Sequence, residues 1–282
     1  MQHIHLIYFL YCYCIAFVME LSRLWLTKPW QRWVAVLCTF AGLVTQTAYM
    51  FGRSSQSNLP PLLSSSHDWL LVSVWLIVAI YLAYWLKVVK RKGYEFLGLF
   101  VLPVAIILVV AAAFMDDVPN QVTKITQAKR FWTMLHAGSL SLGITGVLIG
   151  FLISMMYLIQ HRRLKKKRQL RPGFSLPPLT SLAQYNYRAI MMSFPMLTIG
   201  LFTGVILGLS SPTAKAVFSW KDPVEMVFIV VWTAMFFLFI WLAKRKTGHG
   251  RQVAMLTAWA FSFLIITLLV LISLTGIQPH NG

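Results

Sequence analysis

Residues 69–92 read WLLVSVWLIVAIYLAYWLKVVKRK, and this stretch decides the class of fold. Eighteen residues, from Trp69 to Leu86, follow one another without a charged side chain. At about 1.5 Å per residue, a helix of that length crosses most of the roughly 30 Å hydrocarbon core of a bilayer. The next six positions carry four basic side chains. An apolar block closed by lysine and arginine predicts a transmembrane helix whose basic end faces the cytoplasm.

The same pattern recurs along the whole chain. Hydrophobic residues make up 58% of the 282 residues and charged residues only 11%, whereas a soluble domain carries about a quarter charged residues. We therefore predict an all-α, polytopic integral membrane protein with about eight transmembrane helices, in which residues 1–282 form a single transmembrane domain. The predicted spans are Ile4–Met19, Trp33–Phe51, Trp69–Val88, Phe96–Met115, Phe131–Ile159, Ala189–Leu209, Val224–Leu242 and Val253–Ile277.

The basic residues alternate between successive loops. The loops after the first, third, fifth and seventh spans hold nineteen of the 25 lysines and arginines, and the other loops hold six. This alternation predicts that the basic loops face the cytoplasm and that both termini are extracytoplasmic. The net charge of +18 lies in short loops between apolar blocks, so it argues for membrane orientation and against nucleic-acid binding.

The N-terminal region is predicted to be a retained helix. The block Ile4–Met19 has no basic segment before it and no small-residue cleavage site after it, unlike a signal peptide. The three cysteines, Cys12, Cys14 and Cys38, all lie inside apolar blocks and form no C-x-x-C pair. We therefore expect them to behave as small hydrophobic residues and not as a redox pair.

The longest inner loop has two parts of different composition. Its first part, HRRLKKKRQLR from His161, is predicted to continue the fifth span as a basic helix that contacts anionic lipid headgroups. Its second part, PGFSLPPLTSL, holds three prolines and is predicted to be an irregular connector that lasts until the sixth span.

Few polar side chains lie at membrane depth, and His136 is the clearest of them. It lies in WTMLHAGSLSLG, near the outer end of the fifth span, where an imidazole needs either a hydrogen-bond partner or a metal. On position alone a hydrogen bond is the commoner outcome, and both remain open. His67 and Asp68 begin the third span on the same side, where Asp68 is suited to cap a helix N-terminus. His280, in the C-terminal GIQPHNG, is predicted at the same outer surface.

The outer loop between the sixth and seventh spans reads AVFSWKDPVEM. Asp222, Pro223 and Glu225 make an ordinary helix start, with a capping side chain, a proline in the first turn and an acid close behind. Phe218 and Trp220 are aromatic residues of the kind that settle at membrane surfaces. By itself the loop therefore has a structural explanation.

Taken in order, these stretches resemble the cytochrome c assembly membrane proteins of the CcsA, CcmC and HemX type. FSWKDPVE is similar to the family's W-G-x-x-W-x-W-D-P-K-E, GHGRQVA to its G-W-R-G-R-x-A, and FWTMLHAGSLSLG to its L-H-V segment. GIQPHNG resembles its G-L-H-S-Y, and YLIQHRRLKKKR resembles the HemX branch. The resemblance covers residues 60–282. The chain departs from the pattern at Lys221, where the family has tryptophan, and in FFLFIWLAKRK, which lacks the family's transmembrane histidine.

The resemblance implies a haem-handling protein of cytochrome c biogenesis in a bacterial-type cytoplasmic (inner) membrane. It would hold haem b as transient cargo at the extracytoplasmic face. With a second assembly membrane protein as partner, it would present that haem for attachment to apocytochrome c. The resemblance places His136 and His280 as axial ligands of the haem iron. The other cofactor-binding residues that we expect are Trp220, Asp222, Phe218, Trp132 and Arg130.

Two other functions remain open, and no group of residues suggests that the chain is itself an enzyme. One is a membrane regulator of haem biosynthesis or of another membrane complex, as in the HemX branch, whose partner would bind the inner basic loop. The other is a small-solute transporter, which would show inverted repeats and broken helices around buried polar groups.

Overall fold

The computed structural model describes residues 2–26, 29–57, 60–88, 97–115, 127–166 and 176–209, together with scattered helical positions between 232 and 262. The continuous ranges contain seven helices, six long and one short. They are α1 (Gln2–Ser22), α2 (Pro29–Ser57), α3 (Pro61–Ser64), α4 (Ser66–Val88), α5 (Gly98–Ala113), α6 (Gln127–Lys165) and α7 (Leu179–Leu209).

Four of these helices are long and apolar enough to cross a membrane. They contain the segments Trp30–Ser57, His67–Lys87, Arg130–Lys165 and Leu179–Leu209. Two more, at Leu6–Ser22 and Gly98–Ala113, are apolar but shorter. The prediction of a helical membrane protein is therefore confirmed for the described part of the chain. The count of eight spans and the side of the termini stay predictions, because Val224–Leu242 and Val253–Ile277 lie largely outside the described residues.

The first six predicted spans correspond to α1, α2, α4, α5, α6 and α7, with different ends. The basic extension of the fifth span is confirmed as far as Lys165, where α6 ends. The predicted irregular connector is wrong from Leu179 onward, because α7 begins there, ten residues before the predicted start at Ala189. Prolines 177 and 178 stand just before the helix, where a missing N–H costs little, and the added turns bury Leu182.

The first four long helices share one core. Phe9 and Tyr13 of α1 pack with residues of α2, α4 and α5 and are fully buried. Gln46 of α2 joins three helices inside this core: its Oε1 accepts from Tyr13 Oη at 2.6 Å, and its Nε2 donates to the carbonyl oxygen of Leu71 at 2.9 Å. Both ends of the buried amide are thus satisfied, so the polar group fixes the register of α1, α2 and α4.

The hairpin of α6 and α7 forms the second group, and small residues line its seam. A Cβ added at Gly143 would come within 2.7 Å of the Leu197 side chain, and one at Gly200 within 2.5 Å of Leu140. Because these positions lack side chains, the two backbones approach closely, as is common between helices in membranes. The seam places the N-terminal third of α6 directly against α7.

Candidate functional site

His136 lies in the N-terminal third of α6, and its ring faces α7. Its Nδ1 is 2.8 Å from the carbonyl oxygen of Gly200 and 3.4 Å from Thr203 Oγ1. A carbonyl oxygen can only accept, so Nδ1 carries the proton and donates it to Gly200. The neutral imidazole then has its lone pair on Nε2, the nitrogen able to bind a metal.

Gly204 makes room for this imidazole. A Cβ at that position would lie 2.8 Å from His136 Cε1 and 3.1 Å from Nδ1. Thr203 beside it donates to the backbone carbonyls of Ile199 at 2.7 Å and Gly200 at 3.0 Å. Two residues therefore shape the α7 surface opposite His136. Gly204 leaves space for the ring, and the Thr203 hydroxyl bonds to carbonyl oxygens of its own helix. The half-buried ring is held in one orientation by α7.

Two other predicted site residues share the start of α6 with His136. Trp132 is half-buried, one turn earlier on the same helical face, and its ring contacts Phe131 edge to face at 5.8 Å. Arg130 is exposed and lies two residues before Trp132, so it projects from a different side of the helix. The remaining predicted site residues, Phe218, Trp220, Asp222 and His280, lie outside the described residues.

A buried polar cluster occupies the neighbouring ends of α2 and α4. The Arg53 Nε and Asp68 Oδ1 atoms are 2.7 Å apart, with only 6% and 2% of the side chains exposed. His67 Nδ1 is 3.0 Å from the same carboxylate oxygen, and the His67 ring meets Tyr49 edge to face. The cap of α4 is Ser65, whose Oγ accepts from the Asp68 backbone N–H at 3.2 Å. Asp68 is therefore not the helix cap that the sequence suggested. Its carboxylate instead contacts the side chains of Arg53 and His67.

The sequence offered one usable signal for this cluster. Ser65 and Asp68 have the spacing of a capping box, which marks the start of α4. The predicted second span ends at Phe51, which leaves Arg53 in the following outer loop. In the structure α2 continues to Ser57, and Arg53 is buried in the protein interior. An arginine buried one turn before a helix end demands a carboxylate, and Asp68 is the nearest acidic residue in the sequence.

The region around His136 and the cluster of Arg53, His67 and Asp68 are joined at one end of the bundle. Trp69 Nε1 of α4 donates to the carbonyl oxygen of Ala137, the residue after His136, at 3.3 Å. One turn further in, the hydroxyls of Ser73 and Ser141 are 3.3 Å apart. The first turns of α4 thus dock beside His136. In the described ranges, no three or more His, Cys, Asp or Glu side chains group closely enough to hold a metal ion.

Comparison with known proteins shows where this arrangement belongs. Residues 66–278 match the family model described as cytochrome C assembly protein. The chain belongs to the cytochrome c assembly protein family. The resemblance to the cytochrome c assembly family is therefore confirmed, and the matched range includes His136 and the segment from Phe218 to Asp222.

Individual members of the cytochrome c assembly family resemble the chain at modest identity. It is 25% identical over 242 residues to cytochrome c biogenesis protein CcsA of Guillardia theta, covering 79% of this chain and 77% of that protein. It is 24% identical over 201 residues to CcsA of Chlamydomonas reinhardtii, covering 71% of this chain and 54% of that one. Protein HemX of Brevibacillus brevis is 29% identical over 106 residues, 37% of this chain and 38% of HemX. The chain is thus a membrane protein of cytochrome c biogenesis.

Proposed function

We propose that this protein binds haem at the extracytoplasmic face of a bacterial-type cytoplasmic membrane and presents it for attachment to apocytochrome c. The observation that carries the proposal is the hydrogen bond from His136 Nδ1 to the Gly200 carbonyl oxygen. It leaves the Nε2 lone pair for the haem iron and holds the ring in one orientation. Haem is the cargo, so one protein ligand must be displaceable when the partner takes it.

The second axial ligand that we propose is His280, with Phe218 and Trp220 stacking on the porphyrin and Asp222 orienting their loop. One contact supports bringing this loop to His136. Trp232 Nε1 donates to Thr198 Oγ1 at 3.2 Å, two residues before Gly200 on α7. Asp222 lies ten residues before Trp232 in the sequence, so we propose that its loop lies near the part of α7 that contacts His136.

Two further side chains complete the proposed site. Trp132, on the His136 face of α6, offers an aromatic surface toward the membrane exterior. Arg130 is exposed at the start of α6, and we propose that its long side chain reaches around the helix to pair with a haem propionate through a bidentate contact. The partners that we propose are a second cytochrome c assembly membrane protein and apocytochrome c.

A haem spectrum of the purified protein tests the proposal. The wild-type chain should retain haem b with the spectrum of two imidazole ligands, and His136→Gly should lose most of it. Added imidazole should restore the His136→Gly spectrum, because a free imidazole replaces the missing ligand but not a structural contact. His161→Gly is the matched control, since His161 lies at the opposite end of α6 and stacks on Tyr157. Full haem retention by His136→Gly would rule out the site.

The match to HemX favours one alternative, a membrane regulator of haem biosynthesis. In that case the partner would bind the basic segment that begins at His161, and His136 would serve only to join α6 to α7. The two proposals differ in one measurement. A regulator would lose its partner when residues 162–168 are neutralised, and its haem content would not respond to His136→Gly.

A further inference from the structure

A groove at the C-terminal end of α6 carries an inference that is independent of haem. It has a volume of about 450 Å³ and lies between α6 and the last described helical positions of the chain. The α6 side contributes Met155, Leu158, His161, Arg162 and Lys165. The facing side contributes Met255 and Trp259, with two small residues beside them.

Close packing just above the groove forms one of its walls. Tyr157 is buried, and its ring stacks on His161 with ring centroids 6.2 Å apart and planes 9° apart. A Cβ at Gly250 would come within 2.6 Å of Tyr157 Oη, so the missing side chain lets the last helical stretch lie against α6. Ala254, four residues later, is buried in the same cluster as Tyr157 and Met156. The groove therefore opens where the two elements begin to separate.

The groove has one polar end and one apolar end. Arg162 and Lys165 occupy the last turn of α6, both are exposed, and they lie one turn apart on the same side. Met155 and Leu158 lie one to two turns closer to the middle of α6, and Met255 and Trp259 complete the apolar part of the lining. Neither Asp nor Glu is found among the described residues of the lining. A groove with one cationic end and one apolar end suits an amphiphile with an anionic headgroup.

We propose that this groove binds an anionic phospholipid, with its phosphate at Arg162 and Lys165 and part of one acyl chain between Met155 and Trp259. The position agrees with the membrane side on which the basic loops are predicted, where anionic headgroups concentrate. A soluble phosphate would contact only the two cations and would leave the apolar end of the groove empty. Trp259, 72% exposed, offers an apolar ring that the acyl chain can contact.

Native mass spectrometry of the full chain in mild detergent tests this site. The protein should retain one phosphatidylglycerol molecule in preference to phosphatidylcholine with the same acyl chains. The double variant Arg162→Gln/Lys165→Gln should lower that retention by about an order of magnitude, because two phosphate contacts are lost. Lys87→Gln is the matched control, since Lys87 is an exposed cation at the end of α4 that lines no part of the groove. It should leave retention unchanged.

Three outcomes would overturn the proposal. The first is equal retention of the two lipids, and the second is an equal loss in Lys87→Gln. The third is full displacement of the lipid by glycerol 3-phosphate, which has the headgroup chemistry without the chain. Trp259→Ala should weaken phosphatidylglycerol retention and leave any glycerol 3-phosphate effect unchanged. The elution volume of each variant in size-exclusion chromatography checks that it folds, and a normal haem spectrum would separate this result from the haem proposal.

Discussion

The imidazole of His136 can lie against the α7 backbone because residue 204 has no side chain. We therefore predict that Gly204→Ala pushes the ring away from Gly200, breaks the Nδ1 hydrogen bond and lowers haem affinity by about tenfold to a hundredfold. Haem titration of the purified variant measures this. Gly52→Ala is the control, because a Cβ there meets nothing within 4 Å. Equal haem affinity in the two variants would show that α7 does not orient the ligand.

The sequence identifies His136 as a candidate site residue, but it does not identify the Gly200 carbonyl oxygen to which the imidazole bonds. An imidazole inside an apolar span is visible in the sequence because it is costly there. Gly200 is 64 residues away and contributes only a backbone carbonyl, which every residue has. Identifying it requires the register of α6 on α7, and that register depends on which side chain each glycine of the seam faces.

The pairing of α2 with α4 depends on the buried ion pair of Arg53 and Asp68. Asp68→Asn should lower the free energy of unfolding by about 3 to 5 kcal/mol, because it leaves a buried guanidinium without its counter-ion. The double variant Arg53→Met/Asp68→Leu should recover most of that loss, since neither charge of this pair then remains buried. Unfolding of the detergent-solubilised variants, by heat or denaturant, gives the comparison. A double variant less stable than Asp68→Asn would mean that the pair contributes more than it costs to bury.

Helix ends were the least predictable feature at this scale. The apolar blocks correctly located the six long helices, because crossing a bilayer requires about twenty apolar residues. They missed the first ten residues of α7, where Asn186 and Leu182 are buried in a segment that looks polar. Asn186 Nδ2 lies 3.4 Å from Thr257 Oγ1 of the C-terminal part of the chain, so its burial depends on a distant partner. They also missed α3, a single turn that hydropathy cannot reveal.

The described helices α1 to α7 form two groups that meet along α4 and α6. Composition and the alternation of charge between loops predicted a helical membrane protein, because a bilayer requires both apolar spans and basic loops on one side. They could not predict how the groups meet, since that depends on single contacts such as Trp69 to Ala137. These contacts bring Arg53, Asp68 and His136 to one end of the bundle and place Arg162 and Lys165 at the other. The two proposed sites should therefore face opposite sides of the membrane.

A topology measurement can test that arrangement in two independent steps. A reporter inserted near residue 170, between α6 and α7, should read as cytoplasmic, because this connection holds the largest basic cluster. Since α6 and α7 form one hairpin, this result alone places His136 and Gly200 at the extracytoplasmic end. A reporter at the C-terminus should read as extracytoplasmic if two further spans follow α7. A cytoplasmic C-terminus with a cytoplasmic residue 170 would keep His136 on the outer side but put His280 across the membrane from it, so His280 could not be the second ligand.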